Sequence, residues 1–201
     1  MRLWIILPVF GFLLGSVPFG LLLTRWRRGM DIRRAGSGNI GATNVMRQAG
    51  PLLGVLTLAC DAGKGALPVA LALAPAAPGR EALAAATALC AFLGHLYPVY
   101  TRFGGGGKGV ATAAGCAAVL CWPALLISLA VFVAVVWICG RVSVGSLAAA
   151  ASLPVAGAFF SSSRFTWAAL FFMSALVWVR HRENISRLRA GTEPRLFRKR
   201  P

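Results

Sequence analysis

Long apolar runs, broken by short polar or glycine-rich segments, set the plan of this chain. Leu3 to Leu23 is the first, interrupted by Gly11, Gly15, Ser16 and Pro18. Leu52 to Leu73 and Ala82 to about Tyr100 follow, parted by an outer turn at Pro75, Pro78 and Gly79. Val110 to Ile138 is nearly continuous apolar sequence. At about 1.5 Å of rise per residue it is too long for one crossing and short for two. Pro123 divides it into a short helix to about Cys121, a turn at Trp122-Pro123 and a return helix ending near Cys139. Leu147 to Phe160 and Phe165 to Val179 complete the series across a turn at Ser161-Ser162-Ser163-Arg164. The pattern predicts an all-α, polytopic integral membrane protein of about seven transmembrane helices.

Composition agrees. The chain is 58% hydrophobic and only 13% charged, with a mean hydropathy of +0.73, far from the balance of a soluble domain. A formal net charge of +16 would suit a nucleic-acid binder, but the cations cluster at Arg25 to Arg34, at Arg102 and Lys108, and from Arg180 to Arg200, always beside apolar runs. That distribution reads as membrane topology and contact with anionic headgroups, and nucleic acid is not an expected partner. One arginine precedes the first run, whereas Arg25, Arg27, Arg28, Arg33, Arg34 and Arg47 follow it. The run is therefore expected to be a retained helix instead of a signal peptide, with the N-terminus outside and the C-terminus cytoplasmic. One membrane-embedded domain, 1–201, is expected, with a loose basic tail over 195–201. The five cysteines lie in apolar stretches without a C-x-x-C pair, as small hydrophobes do, and the two histidines have no metal-ligand spacing. No metal or cofactor is expected.

The polar breaks carry the chemistry. Ala35 to Arg47 gathers Gly36, Gly38 and Gly41 with Ser37, Asn39 and Thr43 and ends on a cation, a loop suited to an anion. Its glycines formally satisfy a dinucleotide fingerprint, but Arg33 and Arg34 precede it where a strand should end, so that fold is rejected. Asp61 and Lys64 stand three apart within an apolar run: a functional pair at membrane depth, or an ion pair snorkelling to the surface. The second glycine loop, Thr101 to Gly109, lacks the Ser or Thr that a P-loop places after its lysine. It keeps flexible amides and Lys108, again a phosphate site, with a plain linker as the competing reading. The loop Arg141 to Ser146 and the tail Arg180 to Glu193 fall on the same predicted face. The tail opens like a helix continuation, placing His181, Asn184 and Arg187 on one side. Convergence of these four segments at one membrane face is the main expectation.

Cations and amides in number, beside only five carboxylates at Asp31, Asp61, Glu81, Glu183 and Glu193, imply acidic substrates without multi-metal chemistry. No nucleophile elbow occurs. The H-x-x-x-x-D signature of many glycerolipid acyltransferases is also absent, since Tyr100 and Ser186 stand where the Asp would fall.

Gly36 to Arg47 resembles the S-G-N-x-G-A-T-N-x-x-R motif of the bacterial acyl-phosphate:glycerol-3-phosphate acyltransferases. Gly94 to Thr112 resembles that family's G-H-x-x-P and G-G-K-G-V-A-T motifs, and Arg180 to Glu193 its R-H-x-x-N-I-x-R-L-x-x-G-T-E tail. Gly15 to Gly20 and Asp61 to Gly65 also fit, so the resemblance covers nearly the whole chain. One departure stands out: where the family shows F-K-G-G-K-G, Phe103 is followed by four glycines and then Lys108, with Arg102 as the nearest replacement cation.

The resemblance implies transfer of a fatty acyl group from acyl phosphate to the 1-hydroxyl of sn-glycerol 3-phosphate, without acyl-CoA or acyl carrier protein as direct donor. It implies a bacterial inner-membrane enzyme with its site at the cytoplasmic face, embedded in membrane lipid. Ser37, Arg47, Lys108 and Ser146 are then assigned to phosphate, with Gly105, Gly106, Gly107 and Gly109 offering amides and Ser143 in the same substrate-binding set. Asn39 and Thr43 orient substrate or donate to the developing oxyanion. His181 and Asn184 hold glycerol hydroxyls, and His95 supports them or acts as base. A transporter for a phosphorylated metabolite is the rival reading, and it predicts polar sites on both membrane faces.

Overall fold

A computed structural model of the chain describes residues 2–74 and 78–196. Among the described residues every regular element is a helix. Pro75 of the expected outer turn lies outside them, as does the tail beyond Leu196.

The chain divides into two compact units, Met1–Leu120 and Cys121–Pro201. The first holds α1 (Leu3–Gly15), α2 (Phe19–Arg28), α3 (Ala42–Ala49), α4 (Pro51–Leu73), α5 (Arg80–Leu96) and α6 (Val110–Leu120). The second holds α7 (Trp122–Cys139), α8 (Val142–Phe160), α9 (Arg164–Arg180) and α10 (Arg182–Arg189). Among the described residues five helical stretches are long and apolar enough to cross a bilayer: 3–28, 51–73, 80–101, 122–139 and 142–160. The apolar α6 is shorter, about 16 Å long by its 11 residues. Large side chains such as Trp137, Ile138 and Phe159 are about four-fifths exposed, as on a surface meant for lipid.

Several boundaries differ from expectation. The first apolar run is two helices, because Pro18 supplies no backbone N–H and itself leaves helical geometry before α2 begins. The expected loop Arg141 to Ser146 is mostly helix. Only Arg141 is extended, and α8 starts at Val142, since nothing in Val-Ser-Val-Gly-Ser stops a helix that packing supports. Ser163 caps α9 by accepting from the Thr166 N–H at 3.4 Å. The tail does not continue α9, because His181 leaves helical geometry and α10 begins afresh at Arg182.

Within the first unit α1 and α5 touch backbone to backbone. A β-carbon on Gly15 would overlap the Ala91 carbonyl, and one on Gly94 the Phe12 carbonyl. That closeness brings the end of α1 beside the end of α5, from which the second glycine loop departs.

Candidate active site

The first glycine loop is held from below by apolar contacts. Ile32, Ile40 and Val45 are fully or almost fully buried against Leu21, Ala49 and Leu53, and burial of each large side chain contributes roughly 1.5–3 kcal/mol. Its second half is not loop but α3, entered at Gly41. The expectation of an irregular segment through Arg47 is therefore corrected: Thr43 lies in the first turn of α3 and Arg47 one turn on, in its last.

Asn44, assigned no role on sequence grounds, is the hub of this segment. Its Oδ1 accepts from the Ser37 N–H at 3.1 Å, and its Nδ2 donates to the carbonyls of Ala35 and Asn39 at 3.0 and 2.9 Å. A β-carbon on Gly36 would collide with Asn44 Oδ1, and Gly36 also holds a φ of +58°. Asn39 accepts from the Gly41 N–H at 2.8 Å and so shapes the entry to α3. Ser37 and Arg47 lie exposed around this frame. Asn44→Ala is expected to cut kcat/KM about tenfold and to raise amide exchange over 35–41, since each lost bond is worth about 1 kcal/mol. Wild-type exchange in the variant would remove Asn44 from this role.

Beside the loop, Asp31 ties Arg25 and Arg33 together at 2.8 and 2.7 Å. Hydrogen bonds from Arg33 first, opposed by slight desolvation and helped by Arg25, hold the Asp31 carboxyl well below the usual carboxylate range. Arg25, Arg33 and Arg102 line a cleft of about 550 Å³ whose apolar wall includes Val17, Leu21 and Leu22. Arg102 and Phe103 both adopt left-handed backbone, with φ of 55° and 62°, at the point where the glycine loop departs from the family pattern. A β-carbon on Gly105 would come within 3.2 Å of Arg33 Cδ, so the two basic loops lie side by side, as expected.

The rest of the second loop closes on α5. Gly106 lies against the Leu96 carbonyl and Gly107 against the imidazole of buried His95, whose carbonyl accepts from the Gly107 N–H at 3.2 Å. Lys108 follows, half-buried, and Gly109 packs on Phe92. Asp61 and Lys64 do not snorkel. Their side chains are 3% and 1% exposed, with Lys64 Nζ 2.8 Å from Asp61 Oδ1 at the middle of the 23-residue α4. Asp61 Oδ1 also stands 3.7 Å from His95 Nδ1. The apolar packing of α4 leaves this pair no path to water, a point that spacing alone does not decide.

The second unit contains Ser143, Ser146, His181 and Asn184, all buried. Ser146 Oγ donates to the Val142 carbonyl at 2.9 Å. His181 Nδ1 lies 2.7 Å from the Val177 carbonyl, which can only accept, so this ring nitrogen carries a proton. Asn184 Nδ2 donates to Glu193 Oε1 at 2.6 Å, and Arg187 Nε to Oε2 at 2.8 Å. Burial pushes the Glu193 carboxyl up, but the nearby Ser143 hydroxyl and the Asn184 and Arg187 donors outweigh it and hold it below the ordinary range. Glu193, dismissed in sequence as one scattered acid, thus organises the tail. The Thr-Glu pair after a helix-ending glycine was the available signal.

The family model described as glycerol-3-phosphate acyltransferase matches residues 5–191. A glycerol-3-phosphate acyltransferase of Syntrophotalea carbinolica is 49% identical over 184 residues, covering 92% of this chain and 93% of that protein. One from Myxococcus xanthus is 47% identical over 192 residues, covering 94% and 97%. Crystal structures of PlsY (YgiH), an integral membrane glycerol 3-phosphate acyltransferase, superpose with TM-scores of 0.90 for the glycerol 3-phosphate form and 0.88 for the lysophosphatidic acid form. They are 36% and 35% identical, each covering 96% of this chain and 94% of the PlsY chain. With its glycine loops, buried histidines and cationic rims in place, this chain belongs to the glycerol-3-phosphate acyltransferase family of integral membrane enzymes.

Proposed function

We propose that this acyltransferase uses acyl phosphate as its donor and acylates the 1-hydroxyl of sn-glycerol 3-phosphate, giving lysophosphatidic acid and inorganic phosphate. The observation that carries the reading is the pre-ordered anion frame of the first unit. Asn44 fixes the loop that leads into α3, the helix carrying Thr43 and Arg47, and this loop lies beside a second glycine loop bearing Lys108. Acyl phosphate is an activated mixed anhydride, so two gripped anions and good orientation supply much of the rate. O1 of glycerol 3-phosphate attacks the acyl carbon, the C–O bond to phosphate breaks, and the hydroxyl proton leaves with a substrate phosphate oxygen.

Ser37, Arg47, Lys108 and Ser146 are assigned to phosphate groups, with the amides of Gly105, Gly106, Gly107 and Gly109 as further donors. Arg102 supplies the cation that the altered loop lacks. Thr43 orients substrate, and Asn39 shapes the loop through Gly41. His181, Asn184 and Ser143 serve the glycerol end. Seven crossings, built from α1 with α2 and from α4 to α9, put the N-terminus outside and the C-terminus and site at the cytoplasmic face of the bacterial inner membrane. The clustering of arginines after the first run supports this orientation.

Purified protein in lipid nanodiscs, given glycerol 3-phosphate with acyl phosphate, acyl-CoA or acyl carrier protein, is expected to form product with acyl phosphate alone. Equal rates with a thioester would overturn the donor assignment. In the same assay Arg47→Ala should raise KM for a phosphate-bearing substrate about tenfold, the worth of one charged hydrogen bond. An unchanged KM would take Arg47 out of the site.

A further inference from the structure

His95 sits between a buried carboxylate and the second glycine loop. On one edge, Nδ1 faces Asp61 Oδ1 at 3.7 Å. On the other, Nε2 faces Gly107 so closely that a β-carbon there would overlap it. The carboxylate is itself fixed. Lys64 Nζ lies 2.8 Å from the same Asp61 oxygen, donates to the Val17 carbonyl at 2.8 Å, and stands 5.7 Å from the Phe19 ring centroid. Four segments therefore meet through three side chains, Asp61, Lys64 and His95: the α1–α2 break, α4, α5 and the loop that carries Lys108.

A neutral imidazole holds one proton, and its surroundings choose the nitrogen. At 3.7 Å the Asp61 contact is too long for a hydrogen bond. In a desolvated interior, however, the Coulomb preference for N–H over a lone pair toward carboxylate survives such a distance. Lys64 tempers the field of Asp61 and makes its burial tolerable, while Oδ1 stays the negative end nearest the ring.

We propose that Asp61 and Lys64 are positioning residues for acyl transfer: they hold His95 as the Nδ1–H tautomer, so that Nε2 faces the second glycine loop as an acceptor. The proposal rests on the reading that this loop grips a substrate phosphate. His95 in the other tautomer would turn an N–H toward Gly107 and shift the loop, slowing the reaction more than it weakens binding.

The test is nitrogen NMR on protein labelled with [15N]histidine in nanodiscs. The chain has only two histidines, and His95→Gln identifies the signals that belong to His95. Wild type is expected to show a protonated Nδ1 and a bare Nε2 at His95. Asp61→Asn should give mixed tautomers and a kcat about tenfold lower, in the manner of outer-shell partners of a reactive imidazole, with KM for glycerol 3-phosphate within about twofold. Asp61→Glu should recover most of both. Because Asp61→Asn strands an ammonium, the charge-free Asp61→Asn/Lys64→Met pair carries the same test if the single variant fails to fold. A protonated Nε2 in wild type, tautomers unmoved in these variants, or mixed tautomers with unchanged kcat would each overturn the proposal. The spectrum needs no substrate, so the expected tautomer in a protein inactive with acyl phosphate would sink the donor assignment alone.

Discussion

Gly107→Val is expected to fold and yet to lose acyl transfer by about a hundredfold or more, the cost of displacing reacting groups by an ångström. A β-carbon at this position would overlap His95 Nε2 and come within 2.6 and 3.0 Å of Cε1 and Cδ2. Gly107 does not occupy left-handed backbone, so the effect is steric and not conformational. His95 has nowhere to go, being 3% exposed in the last turn of α5 with Asp61 behind it. The loop must move instead, carrying Lys108 and the neighbouring amides away from their places. Gly107→Ala should fall between the two. Steady-state kinetics with a parallel melting curve checks this: kcat should collapse while the melting temperature shifts little, and near-wild-type kcat would contradict the packing argument.

Lys64→Met is expected to destabilise the protein by about 3–5 kcal/mol, the range seen when one member of a buried ion pair is removed. The substitution leaves the Asp61 carboxylate enclosed without its cation, and the Val17 carbonyl loses its ammonium donor. Asp61→Asn/Lys64→Met, which buries no charge, should regain most of that loss. Unfolding curves in mild detergent for wild type, single and double variants decide it. Equal losses for single and double variants would mean that the pair is packing and not charge.

The helices were legible because apolar runs bounded by glycine, proline and arginine leave the chain little freedom in a membrane; among the described residues those runs fall in helices, five of the stretches long and apolar enough to cross a bilayer. Even the division of Val110 to Cys139 at Trp122-Pro123 emerges within two residues. What composition hides is local. Ala42 to Ala49 is too short and polar to announce a helix, and it forms because Val45 and Ala49 bury against α2 and α4 while the Asn39 side chain shapes its entry. The two glycine loops were visible as glycines and cations, but their fixings were not. Asn44 reads as one polar residue among several until its four backbone partners are seen, and Glu193 reads as a stray acid until Asn184 and Arg187 close on it. Polar side chains that serve the backbone leave no periodic trace.

The hydrogen bond from Lys64 to Val17 spans 47 residues of chain and has a consequence for biogenesis. When the first apolar segment enters the bilayer from the ribosome, its proline break offers a carbonyl whose strongest partner has not yet been synthesised. The bend that Pro18 begins gains this partner only after α4 has followed it in. Insertion of the N-terminal hairpin should thus proceed as a paired event, and truncation before residue 64 would leave the leading span poorly anchored and open to membrane quality-control proteases.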